Sequence, residues 1–440
     1  MVTSFESIGW HWVAVVNQGP FSYPLQSVDG VRIVREYQLL GLRLGELAPG
    51  LVDSFTGDRA LRREVDDEPR WHPAALAERA ALLRRELAAA DDLAPPRRGF
   101  LDAHLVALEC TARRLAGVRV GFAAEVRAYF QVDVRLGSPD AYREAHRRLA
   151  EVLPGRGPLA ERLADHRAGD AVPPRRLDAA VRALSGALRD LVRRRFPLPE
   201  REAVEYEVVG NKPWSGFNHY LGDFRSRVSI NADLGHRASN LPHLLAHESY
   251  PGHHTEHCRK DAGLVGGSGH AEQSIFLINT PQCLMAEGAA ELGLHAAVGP
   301  GWGRWAQDVL RDAGLRMDGD HCERVEAAVA GLLTVRQDAA LMLHDRRTPP
   351  DEVVAFLRRW LLVPERRARH MLGFLADPLW RAYTTTYVEG ARLVRAWLDL
   401  RPLGETLPER YLRLLDEPLV PAALAADLHR EVPRLPRGDG

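Results

Sequence analysis

From residue 30 onward the chain is a succession of apolar stripes at helical spacing, broken by proline and glycine, and this pattern confines it to a mainly α fold. "VRIVREYQLLGLRLGEL" (31–47) sets Ile33, Tyr37, Leu40, Leu44 and Leu47 three or four residues apart, along one helix face. "HPAALAERAALLRRELAAA" (72–90) has Pro73 near its start and is otherwise almost all Ala, Leu, Arg and Glu, good helix formers. Stretches 97–130, 139–152 and 176–195 repeat the pattern. Punctuation falls at "PGRGP" (154–158), "AVPPRR" (171–176) and "PLPE" (197–200). Two segments read as β: "AVEYEVV" (203–209), which alternates, and "RVSINADL" (227–234), which starts β-branched. The turn-rich "GNKPWSGFNHYLGDF" between them suggests a small hairpin or ribbon. Helical candidates resume near 240 and continue at 271–298, 303–316, 321–344, 350–361, 364–375, 379–400 and 408–415. The expected architecture is a multi-helix array with a small β hairpin or ribbon at a cleft. Residues 1–28, without a clear period, form an N-terminal extension. A helical N-terminal subdomain then covers 29–198, and a second helical subdomain that carries the chemistry covers 199–440.

Composition narrows the function. The formal net charge of the 440 residues is −1, so there is no basic surplus to neutralise phosphates and nucleic acid is not expected as a partner. No apolar run approaches the roughly 20 residues that span a bilayer, so no membrane partner is expected. Cys110, Cys258, Cys283 and Cys322 are widely spaced and form no C-x-x-C pair. Together with a start that lacks a basic n-region and an apolar core, this points to a reducing, cytoplasmic setting. Oligomeric state is not legible.

The chemistry concentrates in "LLAHESYPGHHTEHCRK" (244–260), with four histidines and two glutamates within eleven residues. It opens His-Glu like the zinc helix H-E-x-x-H, but Pro251 stands where the second histidine belongs. His253 lies six residues after His247, about 240° around an unbroken helix, and the two would point apart. His254, at seven, regains the face but sits about 10 Å further along the axis. Proline cannot donate to the His247 carbonyl and its ring clashes there; the neighbouring glycine accepts unusual backbone angles. A kink or bulge at that point would carry His253 to the place of the missing ligand, with Glu248 beside the ion as base. Two other pairings have four-residue spacing: His243 with His247, and His253 with His257 in an inverted H-x-x-E-H that makes Glu256 the base. A purely structural histidine cluster is the fourth possibility.

"HESYPGHH" (247–254) resembles the H-E-x-x-P-G-H-H signature of the domain-of-unknown-function 885 family, a largely helical group regarded as zinc metallopeptidases. "LAPGLVDSFTGD" (47–58), "SINADL" (229–234), "AEGAAELG" (286–293), "YVEGARLVRAWLDLR" (387–401) and "LLDEPLVPAAL" (414–424) resemble further family segments, so the likeness runs from about residue 30 to 425. It implies one Zn2+ held by His247, His253 and Glu287, with Glu248 activating water. It also implies that His254 is a ligand or a substrate contact. Where the family often has tryptophan and tyrosine after E-G, this chain has Ala289 and Leu292, which would thin the active-site wall. Glu256 and His257 fall outside the signature.

Glu287 has independent support. It sits in the apolar "CLMAEGAAEL", where a carboxylate needs a partner or an ion, and Glu291, one turn on, can orient a ligand. Tyr387 is the candidate oxyanion stabiliser. Tyr220, Asn231, Tyr383 and Arg392 complete the substrate-binding candidates. The strand near 228–232 is expected at the cleft edge, pairing with an extended substrate. The resulting expectation is a zinc-dependent hydrolase of peptide or other amide bonds, acting on small substrates. A metal-free helical binding protein on the same scaffold, or a hydrolase confined to non-peptide amides, is the alternative.

Overall fold

The structure is a computed structural model that describes residues 29–212 and 214–431; the 1–28 extension lies outside the described residues. It is mainly α, as the periodicity predicts. The first helix, Gly30–Leu47, is capped by the Asp29 carboxylate on the Val31 amide and buries Ile33, Tyr37, Leu40 and Leu44. It packs with helices Pro73–Ala88 and Pro95–Leu115. Several long sequence candidates are divided. Gly117, in the left-handed region, separates Pro95–Leu115 from Phe122–Phe130. The 321–344 candidate becomes Gly319–Ala330 and Thr334–His344. The 271–298 candidate becomes a 3-10 turn, a short strand and the helices Pro281–Glu291 and Gly293–Ala297. Helices Arg59–Asp67, Leu159–Gly169 and Pro421–Glu431 are additional.

The β part differs from a simple hairpin. Strands β1 (Val52–Phe55) and β5 (Ile275–Leu277) form an antiparallel pair, while β2 (Ala203–Val209), β3 (Gly216–Gly222) and β4 (Arg225–Asn231) form a sheet in the order β2-β4-β3. The two sequence-predicted strands do pair, but in parallel. The stretch between them, read as turn, supplies β3, which folds back on β4 through a tight turn with positive φ at Gly222, Asp223 and Phe224. Strand β4 is therefore bonded on both sides and offers no free edge to a substrate; β3 and β2 are the edges.

Among the described residues four hydrophobic cores organise the helices, and each draws residues from both sides of the 198/199 division. One joins Ile33, Leu40 and Leu105 to Ile275, Leu277 and Ala286. Another joins Leu184 and Leu188 to Leu245, Tyr250 and Trp397. The two sequence segments are thus interleaved in the packing, and the cores lock β5 and the helix after it against the N-terminal helices. Among the described residues no helix is long and apolar enough to cross a membrane.

Candidate metal centre

The histidine segment is broken where proline and glycine demand it. One helix ends at Glu248, the next begins at His253, and Ser249–Gly252 form the link, with the Tyr250–Pro251 peptide cis. The two helices approach so closely that a Cβ on residue 252 would stand 1.9 Å from the His247 carbonyl oxygen, so only glycine fits. The result brings His247 Nε2 and His253 Nε2 to 3.1 Å, with the rings at 90°.

The third group comes from the Pro281–Glu291 helix. Glu287 Oε2 lies 3.3 Å from His247 Nε2, and Oε1 lies 3.4 Å from His253 Nε2. Ligands bound tetrahedrally at about 2.0–2.1 Å stand about 3.3 Å from one another, so the triangle has the dimensions of a zinc site. Glu287 Oε2 is buried and receives no well-formed hydrogen bond, as expected of an atom reserved for an ion. The donor set, two imidazoles and a carboxylate, suits zinc with one position open. His247 Nδ1 faces Glu291 Oε1 at 3.4 Å, and the Tyr383 hydroxyl donates to Glu287 Oε1 at 2.7 Å; both contacts fix the orientation of candidate ligands.

Charge within the site is tightly coupled. Burial opposes ionisation of His247, but its contacts with Glu287 and Glu291 raise its pKa well above the usual value. Burial likewise opposes a charge on His253, and Glu287 raises it. Burial would also push Glu287 up, yet His253 and His247 hold it well below the ordinary carboxylate range. Glu248 behaves differently: burial dominates and raises it, partly offset by His247 and His253. A carboxylate so placed is a better proton acceptor than one in water. It lies against β3, where a Cβ on Gly216 would be 3.3 Å from Glu248 Oε1, and its carbonyl accepts from Asn218 Nδ2 at 2.7 Å.

Tyr387 sits in the π-helical turn Thr386–Gly390, its ring 6.2 Å from that of His247 and 5.6 Å from that of Tyr383. Burial, then Glu287, Glu291 and Glu248, keep its phenol protonated far above the usual pKa, so it is available as a donor. A glycine crossing puts it there: a Cβ on Gly288 would meet the Gly390 carbonyl carbon at 2.5 Å.

Other sequence candidates lie elsewhere. His254 is fully buried and faces away from the triangle, bonded to Ser226 Oγ at 2.8 Å and Glu202 Oε2 at 3.0 Å. It is one residue from His253 but about 100° further around its helix. It anchors a buried network in which Glu202 also accepts from Tyr250, Arg189 and Arg193. Asn231 is a backbone brace, donating to the Lys212 and Trp214 carbonyls and accepting from the Asp233 amide. Tyr220 donates to Asp261 at 2.6 Å and stacks on His257. Arg392 pairs with Glu389 and points largely to solvent. His243 packs on Trp302, and Glu256 pairs with Lys260, so neither four-spaced alternative assembles a site. Ala289 and Leu292 are both buried in a hydrophobic core.

Two residues join the centre unannounced. Asp53 is the extra residue of a bulge in β1, where the register slips between Val52 and Ser54. Burial raises its pKa, His253 opposes this, and Glu287 and Glu248 add to it, giving about 6. Arg336 is exposed to solvent near Tyr387 and Glu291 and has no ion-pair partner among the described residues.

No family model matches the chain, and no curated protein matches it. Solved structures that are similar to it include two putative lipoproteins. A putative lipoprotein from Colwellia psychrerythraea is 14% identical with a TM-score of 0.44, over 81% of this chain and 66% of that one. A putative lipoprotein of unknown function from Shewanella oneidensis is 11% identical with a TM-score of 0.48, over 90% and 73%.

Proposed function

We propose that the protein is a zinc-dependent hydrolase of peptide or other amide bonds, of the kind the domain-of-unknown-function 885 resemblance implies. The observation that carries the reading is the triangle of His247, His253 and Glu287 at 3.1, 3.3 and 3.4 Å, with Glu248 buried beside it. His247, His253 and Glu287 hold the ion, and Glu291 and Tyr383 fix two of them. When bound, zinc supplies Lewis acidity toward the scissile carbonyl and acidifies a water. Glu248 takes the proton from the attacking water and delivers it to the leaving amine. The Tyr387 phenol donates to the oxygen that gains negative charge as the carbonyl is attacked. Strand β3, an edge strand beside Glu248, is where an extended substrate can pair, and Arg336 is placed for a substrate carboxylate. Four buried, unbridged cysteines support a cytoplasmic location.

The test is a screen of the zinc-reconstituted chain against a library of short peptides and simple amides, read by mass spectrometry. Cleavage that chelation abolishes and zinc restores supports the reading. Stoichiometric zinc without cleavage favours a binding protein, and no zinc after reconstitution ends the metal reading.

A further inference from the structure

A second set of ligating side chains belongs to none of the motifs above. His166 and Asp170 are four residues apart at the C-terminal end of the Leu159–Gly169 helix, so they stand one turn apart on one face. Cys322 comes from the start of the Gly319–Ala330 helix. One ligating atom of each lies within 4.8 Å of the other two. Asp170 is 7% exposed and Cys322 3%. Asp170 Oδ1 and His166 Nε2 are buried without a hydrogen-bond partner among the described residues. A buried carboxylate oxygen with no donor is costly, and two orphaned polar atoms beside one thiol ask for a common partner.

The surroundings suit a cation. Arg237, the nearby guanidinium, is committed to Glu326 at 2.8 Å. Asp170 Oδ2 accepts from the Ser239 amide at 3.0 Å, and the Asp170 carbonyl accepts from Ala238 at 2.8 Å, which leaves Oδ1 free. The His321 ring, 5.1 Å from that of His166, is at hand for a fourth position. One nitrogen, one oxygen and one sulfur donor form a borderline-soft set that favours zinc.

We propose that His166, Asp170 and Cys322 bind a second zinc ion, structural in role and independent of the His247 centre. Binding forms a zinc–sulfur bond and releases the thiol proton to solvent. Zinc with sulfur at about 2.3 Å and nitrogen at about 2.0–2.1 Å needs ligand atoms about 3.3–3.7 Å apart, so a cluster within 4.8 Å needs to tighten by no more than about 1.5 Å. The ion ties the Leu159–Gly169 helix to the Gly319–Ala330 helix. Through Ser239 it also holds the segment that leads into the helix carrying His247.

Cobalt(II) titration of the chelator-stripped, full-length chain tests this, because cobalt–thiolate bonds give a near-ultraviolet charge-transfer band. The His247 centre contains no sulfur, so the band reports the second site alone. The expected result is a band that Cys322→Ser abolishes and His253→Ala leaves intact. No band in the wild-type chain, or a band that survives Cys322→Ser, overturns the proposal. If Cys322→Ser fails to fold, alkylation of native wild-type protein decides, read as labelling of the Cys322 peptide. Zinc is expected to slow it on the order of tenfold; equal rates with and without zinc overturn the proposal.

Discussion

Gly252→Ala removes no ligand and no charge, yet it should empty the His247 centre. The added Cβ would stand 1.9 Å from the His247 carbonyl oxygen and 2.5 Å from that of Ala246. Ordinary contacts begin near about 3.5 Å, so the two segments must part by about 1.5 Å. Both obstructing atoms are backbone, so no side chain can swing aside. The opening falls between the helices that carry the two imidazoles, now 3.1 Å apart. Metal ligation tolerates only about 0.2 Å. One histidine should therefore drop out. Zinc affinity should fall on the order of 100-fold, and the overpacking should cost about 1–3 kcal/mol of stability. Competition against a chromophoric chelator reads the first effect and denaturant melts the second. Gly99→Ala is the control, because nothing lies within 4 Å of a Cβ there. A Gly252→Ala chain that binds zinc as tightly as wild type would refute the packing argument and the ligand pair with it.

Glu248→Gln should keep the zinc and slow hydrolysis by about 10²–10⁴-fold, whereas His247→Ala should lose the ion from this centre; near-normal turnover by the glutamine variant would remove Glu248 as base. Asp53 is held at about 6 when folded, above its ordinary 3.8. The metal-free fold therefore binds this proton more tightly than the unfolded chain, and stability falls by up to about 3 kcal/mol as pH rises across that interval. Metal-free Asp53→Asn should thus be more stable than wild type at pH 7, with the difference vanishing below about pH 4; a less stable variant at pH 7 sinks this account of its surroundings. The four cysteines form no bridge, so melts with and without a phosphine reductant should coincide, and a large drop under reduction would contradict the cytoplasmic reading.

The helical frame was legible because burial in a helix is written every three or four residues, and each stripe needs only its own segment to be read. The break at Ser249–Gly252 was legible for a related reason: proline and glycine act on their immediate neighbours. Strands depend on distant partners. The β2 segment alternates visibly, but nothing in it says that β4 will pair in parallel, and β3 hides among Gly216, Asn218 and Gly222, residues typical of turns. β1 and β5 are too short to show a period. Asp53 was invisible for the same cause, since its bulge exists only against Phe276 and Leu277. His254 was misplaced by adjacency: a neighbour in sequence is a neighbour on a helix face only at three or four residues.

The segments "AEG" and "YVEG" carry little signal separately, and the structure explains why they belong together. They are the two sides of one helix crossing. Gly288 approaches the Gly390 backbone so closely that a Cβ would meet it at 2.5 Å, and a Cβ on Gly390 would meet the Leu284 carbonyl at 2.6 Å. Each glycine is required by the other's helix, not by any turn of its own. The contact determines which side chains flank it. Glu287 precedes one glycine and is turned toward the two histidines, while Tyr387, three residues before the other, is turned toward His247. Tyr383, about one turn earlier, reaches the same carboxylate at 2.7 Å. A larger residue at either glycine would leave every proposed ligand and donor in the sequence and still pull Glu287 and Tyr387 apart. The glycines are as much a part of the centre as the side chains proposed to hold an ion.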